Sequence, residues 1–217
     1  MAPTYLPYIV HQGDYVDKLA AAAGADPDEV WNHPKNAELR GKRASKDVLC
    51  PGDIIYLPSG PRDGLDCDRG TTNRYVAKVK KRQLAIVFDD TEQPHANLDY
   101  EIRGLPKRPG DQNPRGKTDG DGKTTLEVPV FVRHLTLYFP ALHHEVALSI
   151  GDLDPTDESS GVVRRLQNLH FLAQLETEPK EMHVTRAIRD FQAAYGLEVT
   201  GVADEPTQKM LIEKAGS

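Results

Sequence analysis

The spacing of apolar residues changes period twice along this chain, and that change limits it to a protein of mixed helix and sheet built in successive parts. Between residues 8 and 58 the order reads strand, helix, helix, strand. Tyr8, Ile9 and Val10 form a short extended run closed by Gly13 and Asp14. Val16, Leu19, Ala20 and Ala23 then fall on one helical face, and Gly24 stops the helix. Asp26, Pro27 and Glu29 have the order of an N-cap, a first-turn proline and a capping-box acid, so a second helix carrying Val30 and Trp31 is expected from Pro27. After a polar stretch, Pro51, Gly52 and Asp53 turn the chain into the strand Ile54 to Pro58.

Residues 59–73 carry Gly, Pro, Asp and Ser without an apolar period and read as a linker. Beyond them the period becomes two. Leu84, Ile86 and Phe88 alternate, as do Leu98, Tyr100 and Ile102, then Leu126, Val128 and Val130, then Leu135, Leu137 and Phe139, then Val146, Leu148 and Ile150. Five or more short strands separated by turn residues predict a β-sandwich of immunoglobulin or transthyretin type. From Asp157 the helical period returns. Val162, Leu166 and Leu169 share one face, and Val184, Ile188, Phe191 and Tyr195 another that Gly196 ends. A last helix starts near Asp204 to Thr207 and buries Met210 and Leu211 before Gly216. The expectation is a multidomain α+β chain: a βααβ module at residues 1–60, a linker at 61–74, a β-sandwich at 75–154 and a three-helix bundle at 155–217.

A formal charge of -6 and an isoelectric point near 5.7 argue against a nucleic-acid partner, which demands clustered Lys and Arg. The one short basic run, Lys78, Lys80, Lys81 and Arg82, reads as a solvated face. No apolar run approaches the roughly 20 residues that span a bilayer, so no membrane partner is expected. Two cysteines, Cys50 and Cys67, give no disulfide framework, although a single bridge between them stays open. The first fourteen residues have neither the basic start nor the apolar core of an export signal, which places synthesis in the bacterial cytoplasm without a signal peptide.

The first module resembles the lysin motif, LysM, through Tyr8 to Val10, Gly13-Asp14, Leu19-Ala20, Pro51-Gly52-Asp53 and Ile55-Tyr56-Leu57-Pro58. That resemblance implies a shallow groove for N-acetylglucosamine chains of peptidoglycan or a chitin-like glycan. Gly13, Asp14, Tyr15 and Val16 would come from the loop after the first strand, and Val48, Leu49, Cys50 and Pro51 from the loop before the second. Tyr15 would supply the apolar wall. In the alternative, Gly13 and Asp14 only make the strand-to-helix turn. The stretch before Pro51 departs from a compact LysM loop: it is long and basic, with Arg40, Lys42, Arg43 and Lys46.

The tail resembles the peptidoglycan-binding domain attached to wall hydrolases, through Val163 to Leu169, Thr185, Ala187-Ile188, Phe191-Gln192, Gly196-Leu197, Gly201 and Thr207. It implies a non-catalytic three-helix fold whose matched positions mainly build the core. Residues 116–123 look like a strand-turn-strand element of transthyretin-like domains, with a hairpin-type Asp-Gly turn. They do not read as a calcium loop, since placing Gly122 at its turn position puts Lys117 at the first ligand position.

No catalytic, metal or cofactor site is expected. The adjacent His143 and His144 would point to opposite faces of a strand. A meeting of His134, His144 and Glu145 is the one arrangement strand geometry leaves open. Cys50 lacks a peptidase setting, and Cys67 lies in the linker. Asp89 with Asp90, and Asp152 with Asp154, flank turns without the apolar surroundings that raise an acid's pKa. The expected function is non-catalytic glycan binding. Its similarity to accessory proteins of contractile injection and type VI secretion clusters implies delivery outside the cytoplasm or to the periplasm by such a machine. The alternative is a structural adaptor that docks onto spike, baseplate or effector proteins.

Overall fold

The computed structural model describes residues 3–43, 45–60, 67–74, 79–88, 95–174 and 179–215. Lys78, Asp89, Asp90, Gly216 and residues 61–66 of the expected linker lie outside them. The described residues hold six α-helices and three sheets. They divide into two units: Met1–Tyr8, Val16–Asn36 and Ile55–Ile150 make the first, and Ile9–Tyr15, Ala37–Ile54 and Gly151–Ser217 the second.

The chain begins with β1 (Thr4–Ile9), α1 (Val16–Ala23) and α2 (Pro27–Asn32), followed by a 3-10 turn (Pro34–Asn36), α3 (Ala37–Lys42) and β2 (Ile54–Ser59), which pairs with β1. Gly24 ends α1 at φ 67°, where a side chain is disfavoured. Asp26 caps α2, its Oδ1 accepting from the amides of Asp28 (2.9 Å) and Glu29 (3.2 Å). The expected strand-helix-helix-strand order needs one correction: the polar stretch contains the 3-10 turn and α3. These six helical residues bury only Leu39, too little to produce a periodic signal. In the first unit, Asn36 fastens the 3-10 turn. Its Nδ2 donates to the carbonyls of Val30 (2.7 Å) and Tyr56 (3.0 Å), and its Oδ1 accepts from the Tyr56 amide at 2.7 Å. A buried carboxamide satisfied on both ends in this way joins helix to strand.

The first unit continues through β3 (Lys81–Val87), β4 (Asp99–Arg103), β5 (Arg115–Lys117), β6 (Lys123–Pro129), β7 (His134–Phe139) and β8 (His144–Ser149). β3 pairs antiparallel with β6, and β5-β4-β7-β8 form a four-stranded antiparallel sheet. The period-two residues Tyr100, Ile102, Leu126, Val128, Leu135, Leu137 and Phe139 are all buried. Phe88 and Tyr100 meet Phe139 edge to face with ring centres 5.1 and 6.1 Å apart, and the Tyr100 hydroxyl lies 2.7 Å from Thr124 Oγ1. Gly116 sits under the Tyr100 ring, where a Cβ would collide with it. The strand-turn-strand element at 116–123 is not a hairpin. β5 joins β4 while β6 joins β3, so its two strands enter different sheets. Asp119 Oδ1 holds the turn by accepting from the amides of Asp121 and Lys123, at 2.9 and 2.8 Å.

The second unit carries α4 (Ser159–Asn168), α5 (Glu181–Ala194) and α6 (Glu205–Ala215). Val162, Leu166, Ala187, Ile188, Phe191 and Leu211 form one core, with Phe171, Val184, Tyr195 and Met210 packed around it. Gly196 follows α5 at φ 67°, and Asp204 Oδ1 accepts from the Thr207 amide at 3.0 Å at the start of α6. No helix among the described residues is long and apolar enough to cross a membrane.

Candidate functional site

Most of the loop residues singled out by sequence are enclosed. Gly13, Asp14, Tyr15, Val16, Val48 and Leu49 are buried, Cys50 is half-buried and Pro51 is exposed. Gly13 and Asp14 make the turn after β1. Gly13 takes φ 82°, the Asp14 amide donates to His11 O, and Asp14 Oδ2 accepts from the His11 amide at 3.0 Å. Tyr15 is only 1% exposed, so its ring is core here rather than the open wall a sugar face would stack on.

Within the second unit, residues 151–158 cover this turn. Gly151 lies so close that a Cβ would stand 3.1 Å from both Gly13 O and Tyr15 Cδ1. The Gln12 side-chain amide donates to Asp154 Oδ1 at 3.4 Å, and Cys50 Sγ lies 3.9 Å from Glu158 Oε1. Arg43 is the centre of the arrangement. Its Nε and Nη2 donate to Asp53 at 2.7 and 2.9 Å, while Nη1 donates to both Asp157 oxygens at 3.0 and 3.1 Å. Planar guanidinium geometry suits this double fork. The basic stretch before Pro51 therefore points its middle charge inward.

The charges tune one another. Burial pushes the Asp53 carboxyl up, but hydrogen bonds from Arg43, the Cys50 amide and Lys42 outweigh it and hold the group below the usual carboxylate range. The hydrogen bond to Asp53 raises Arg43 against the opposing cost of burial. Burial pushes the Cys50 thiol up, with Arg43 acting the other way, so Cys50 is a poor nucleophile.

At the far end of the covering segment, Arg165 is buried inside α4. Its Nη1 donates to Asp154 O at 2.7 Å and Gly161 O at 3.0 Å, and burial lowers its pKa to about 10. Gly161 leaves room for the backbone of Asp154 and Pro155 against the helix. Sequence reasoning missed the pairing of Arg43 with Asp157, because the two lie 114 positions apart in the chain.

The motif residues of the C-terminal helices are also inward. Gln192 is fully buried, and its Nε2 lies 2.9 Å from each of Thr200 Oγ1, Val202 O and Thr207 Oγ1. Its Oε1 accepts from the Gly201 amide at 2.9 Å. This one side chain joins the motif residues Gln192, Gly201 and Thr207 and ties the α5-α6 turn to the core. Met182, Val199 and Val202 remain exposed on this unit.

In the first unit a shallow apolar depression of about 340 Å³ is lined by Leu6 to Tyr8 of β1, the second half of α1 and the end of β2, with Leu19, Ala22 and Leu57 among its residues. The arrangement of His134, His144 and Glu145 does not form. His134 stands opposite Ser149 and His144 opposite Phe139, which separates the two histidines by about five residues, or roughly 17 Å, along the strands. Glu145 instead pairs with Arg103. Asp154 Oδ2 accepts from Ser160 at 2.7 Å. Among the described residues no group of three or more His, Cys, Asp or Glu side chains is placed to hold a metal ion. Cys50 and Cys67 are both free thiols.

Neither the curated proteins nor the solved structures give a match to the chain. Residues 160–211, spanning α4 to α6, match the family model for the peptidoglycan binding domain, PG_binding_1. Residues 160–211 are therefore similar to a peptidoglycan-binding domain, which supports peptidoglycan binding in general.

Proposed function

We propose that this is a non-catalytic peptidoglycan-binding protein whose wall affinity resides in α4, α5 and α6. The observation that carries the reading is the family match over residues 160–211, which falls on helices with a complete apolar core and a fully satisfied Gln192. The ligand is wall glycan containing N-acetylglucosamine. The LysM-like module at residues 1–60 contributes a second, weaker glycan site at the loops around Gly13 and Pro51. Two weak sites in one chain raise avidity on a repetitive polymer. Delivery by a contractile injection or type VI secretion machine belongs to the same reading.

Co-sedimentation of the full chain with purified insoluble peptidoglycan tests this. Retention that soluble muropeptides compete away is expected, with no release of soluble fragments from the wall during the incubation. A chain that stays in the supernatant would sink the binding reading, and solubilised wall would replace it with an enzyme.

One observation favours a second reading, a structural adaptor that docks onto secretion-machine or effector proteins: six of the eight loop residues are buried, which leaves little open sugar surface there. A chain that ignores peptidoglycan but is retained by a spike or baseplate protein would establish it.

A further inference from the structure

The outer surfaces of α4, α5 and α6 differ in what already occupies them. Along α4, the chain at Asp154 and Pro155 is packed in place: Arg165 Nη1 donates to Asp154 O, and a Cβ at Gly161 would collide with Pro155 O. On α6 the exposed charges pair with one another, Lys209 with Glu205 and Lys214 with Glu213, each at 2.7 Å. α5 carries a different surface. Met182, Arg186 and Arg189 follow one another at helical spacing along one stripe, and all three are exposed.

The turn after α5 is laid against that stripe. A Cβ at Gly201, which takes φ 76°, would stand 3.1 Å from Thr185 Cγ2 and 3.2 Å from Arg189 Cγ. Gln192 fixes the turn from the core side, accepting from the Gly201 amide and donating to Val202 O, both at 2.9 Å. Held in this way, Val199 and Val202 stand outward, 53% and 63% exposed, on the same unit as Met182 at 69%. Arg186 has Asp190 at 3.7 Å, whereas the Arg189 guanidinium forms no ion pair among the described residues. Large apolar side chains left in water around one uncompensated cation have the composition of a contact surface.

We propose that Met182, Arg189, Val199 and Val202 form the face on which a peptidoglycan strand lies. Sugar C–H faces and acetamido methyls pack on the three apolar side chains, and Arg189 meets a carboxylate of the peptide stems. The assignment rests on the reading of α4 to α6 as wall-binding and names the surface through which they bind. Charge complementarity selects the strand: peptide stems carry carboxylates, and a chitin-like polymer carries none.

Co-sedimentation of full-length variants with insoluble peptidoglycan tests the face. The double variant Val199→Ser, Val202→Ser is expected to weaken retention by about tenfold, through lost apolar contact. Arg189→Gln is expected to weaken it by about fivefold, and Lys209→Gln on α6 to bind as wild type. All three should melt with the wild-type chain, because the substituted side chains stand in water. Soluble muropeptides should displace the wild-type chain at lower concentration than chitin hexasaccharide does, and Arg189→Gln should lose that preference.

A wild-type chain that fails to sediment would end the wall-binding reading itself, and this assignment with it. A wild-type chain that sediments beside a double variant retained equally well would overturn the face and leave the wall reading standing. An equal loss in Lys209→Gln would reduce the effect to general charge and overturn it too, and a preference kept by Arg189→Gln would overturn the carboxylate contact. Should the serine variant lose its fold, Met182→Ser decides by the same criterion.

Discussion

The helices of residues 159–215 and the loops around Gly13 and Pro51 both carry short sequence motifs, yet the motifs describe different things. In the helices, Leu166, Ile188, Phe191 and Gln192 meet partners within one contiguous stretch, so motif and fold coincide. At the loops, Gly13 and Asp14 correctly mark a turn, but what lies over that turn is supplied from residues 151–158. Arg43 and Asp157, which join the two, are 114 positions apart. A motif reports the backbone that its own residues build. It does not report whether the surface it builds is left open.

The sharpest test of the helical side is Phe191→Ala. Phe191 is fully buried and meets the Phe171 and Tyr195 rings at 5.3 and 4.8 Å. Truncation is expected to cost about 4 kcal/mol from lost transfer energy and the cavity left behind. Urea unfolding followed by helix content reads this. A cost near that of a surface substitution would mean that the three helices do not depend on this core.

On the loop side, Arg43→Met leaves the buried Asp53 carboxylate without its main partner. The expected loss is about 3 kcal/mol, a little less than that of Phe191→Ala. The same pair sets a pH dependence. Asp53 is held below its unfolded value, so the stability it contributes is fully present above that value, about 3.9 for a model Asp, and is lost as pH falls through the folded value. Thermal melts in the acid range should therefore fall more steeply for wild type than for Asp53→Asn. Parallel curves would mean that the ion pair contributes nothing to acid sensitivity.

Gln192→Met should cost about 2 kcal/mol, chiefly because the buried Gly201 amide loses its partner, while the Thr207 hydroxyl keeps only Asp204. The loss should appear in the same unfolding experiment, with Thr207→Val giving a smaller change. A neutral Gln192→Met would reduce the motif glutamine to a space filler and bring the helices closer to the loops, whose motif residues only turn the chain.

Much of this was legible in advance. The period-two strands around Tyr100, Leu126 and Leu137, the N-cap at Asp26 and the helix stop at Gly196 all follow from spacing and local turn chemistry. Three features were not. Leu39 alone gives α3 its buried face, which is too sparse for periodicity. The element at 116–123 looks like a hairpin because Asp119 and Gly122 make a good turn, but pairing partners decide the sheet, and β4 and β3 draw its two strands apart. The burial of Tyr15 depends on Gly151, whose role at φ 82° is invisible until the chain is folded. Local chemistry fixed the elements; distant partners fixed exposure.

The smallest expected effect is also the one that separates closure from stability. Asp157 is more than half exposed, so the single variant Asp157→Asn removes an ion pair of the kind that contributes about 0.5 kcal/mol and that salt screens. Its melting temperature should lie close to wild type at low salt and coincide with it at high salt. Amide exchange around Gly13 and Tyr15 should nevertheless quicken, since the segment over them has lost a fastening while the core of α4 to α6 has not. If exchange there stays slow, Gly151 and the contacts of Asp154 hold the segment without Asp157, and the face around Tyr15 is as permanent an interior as the core around Phe191.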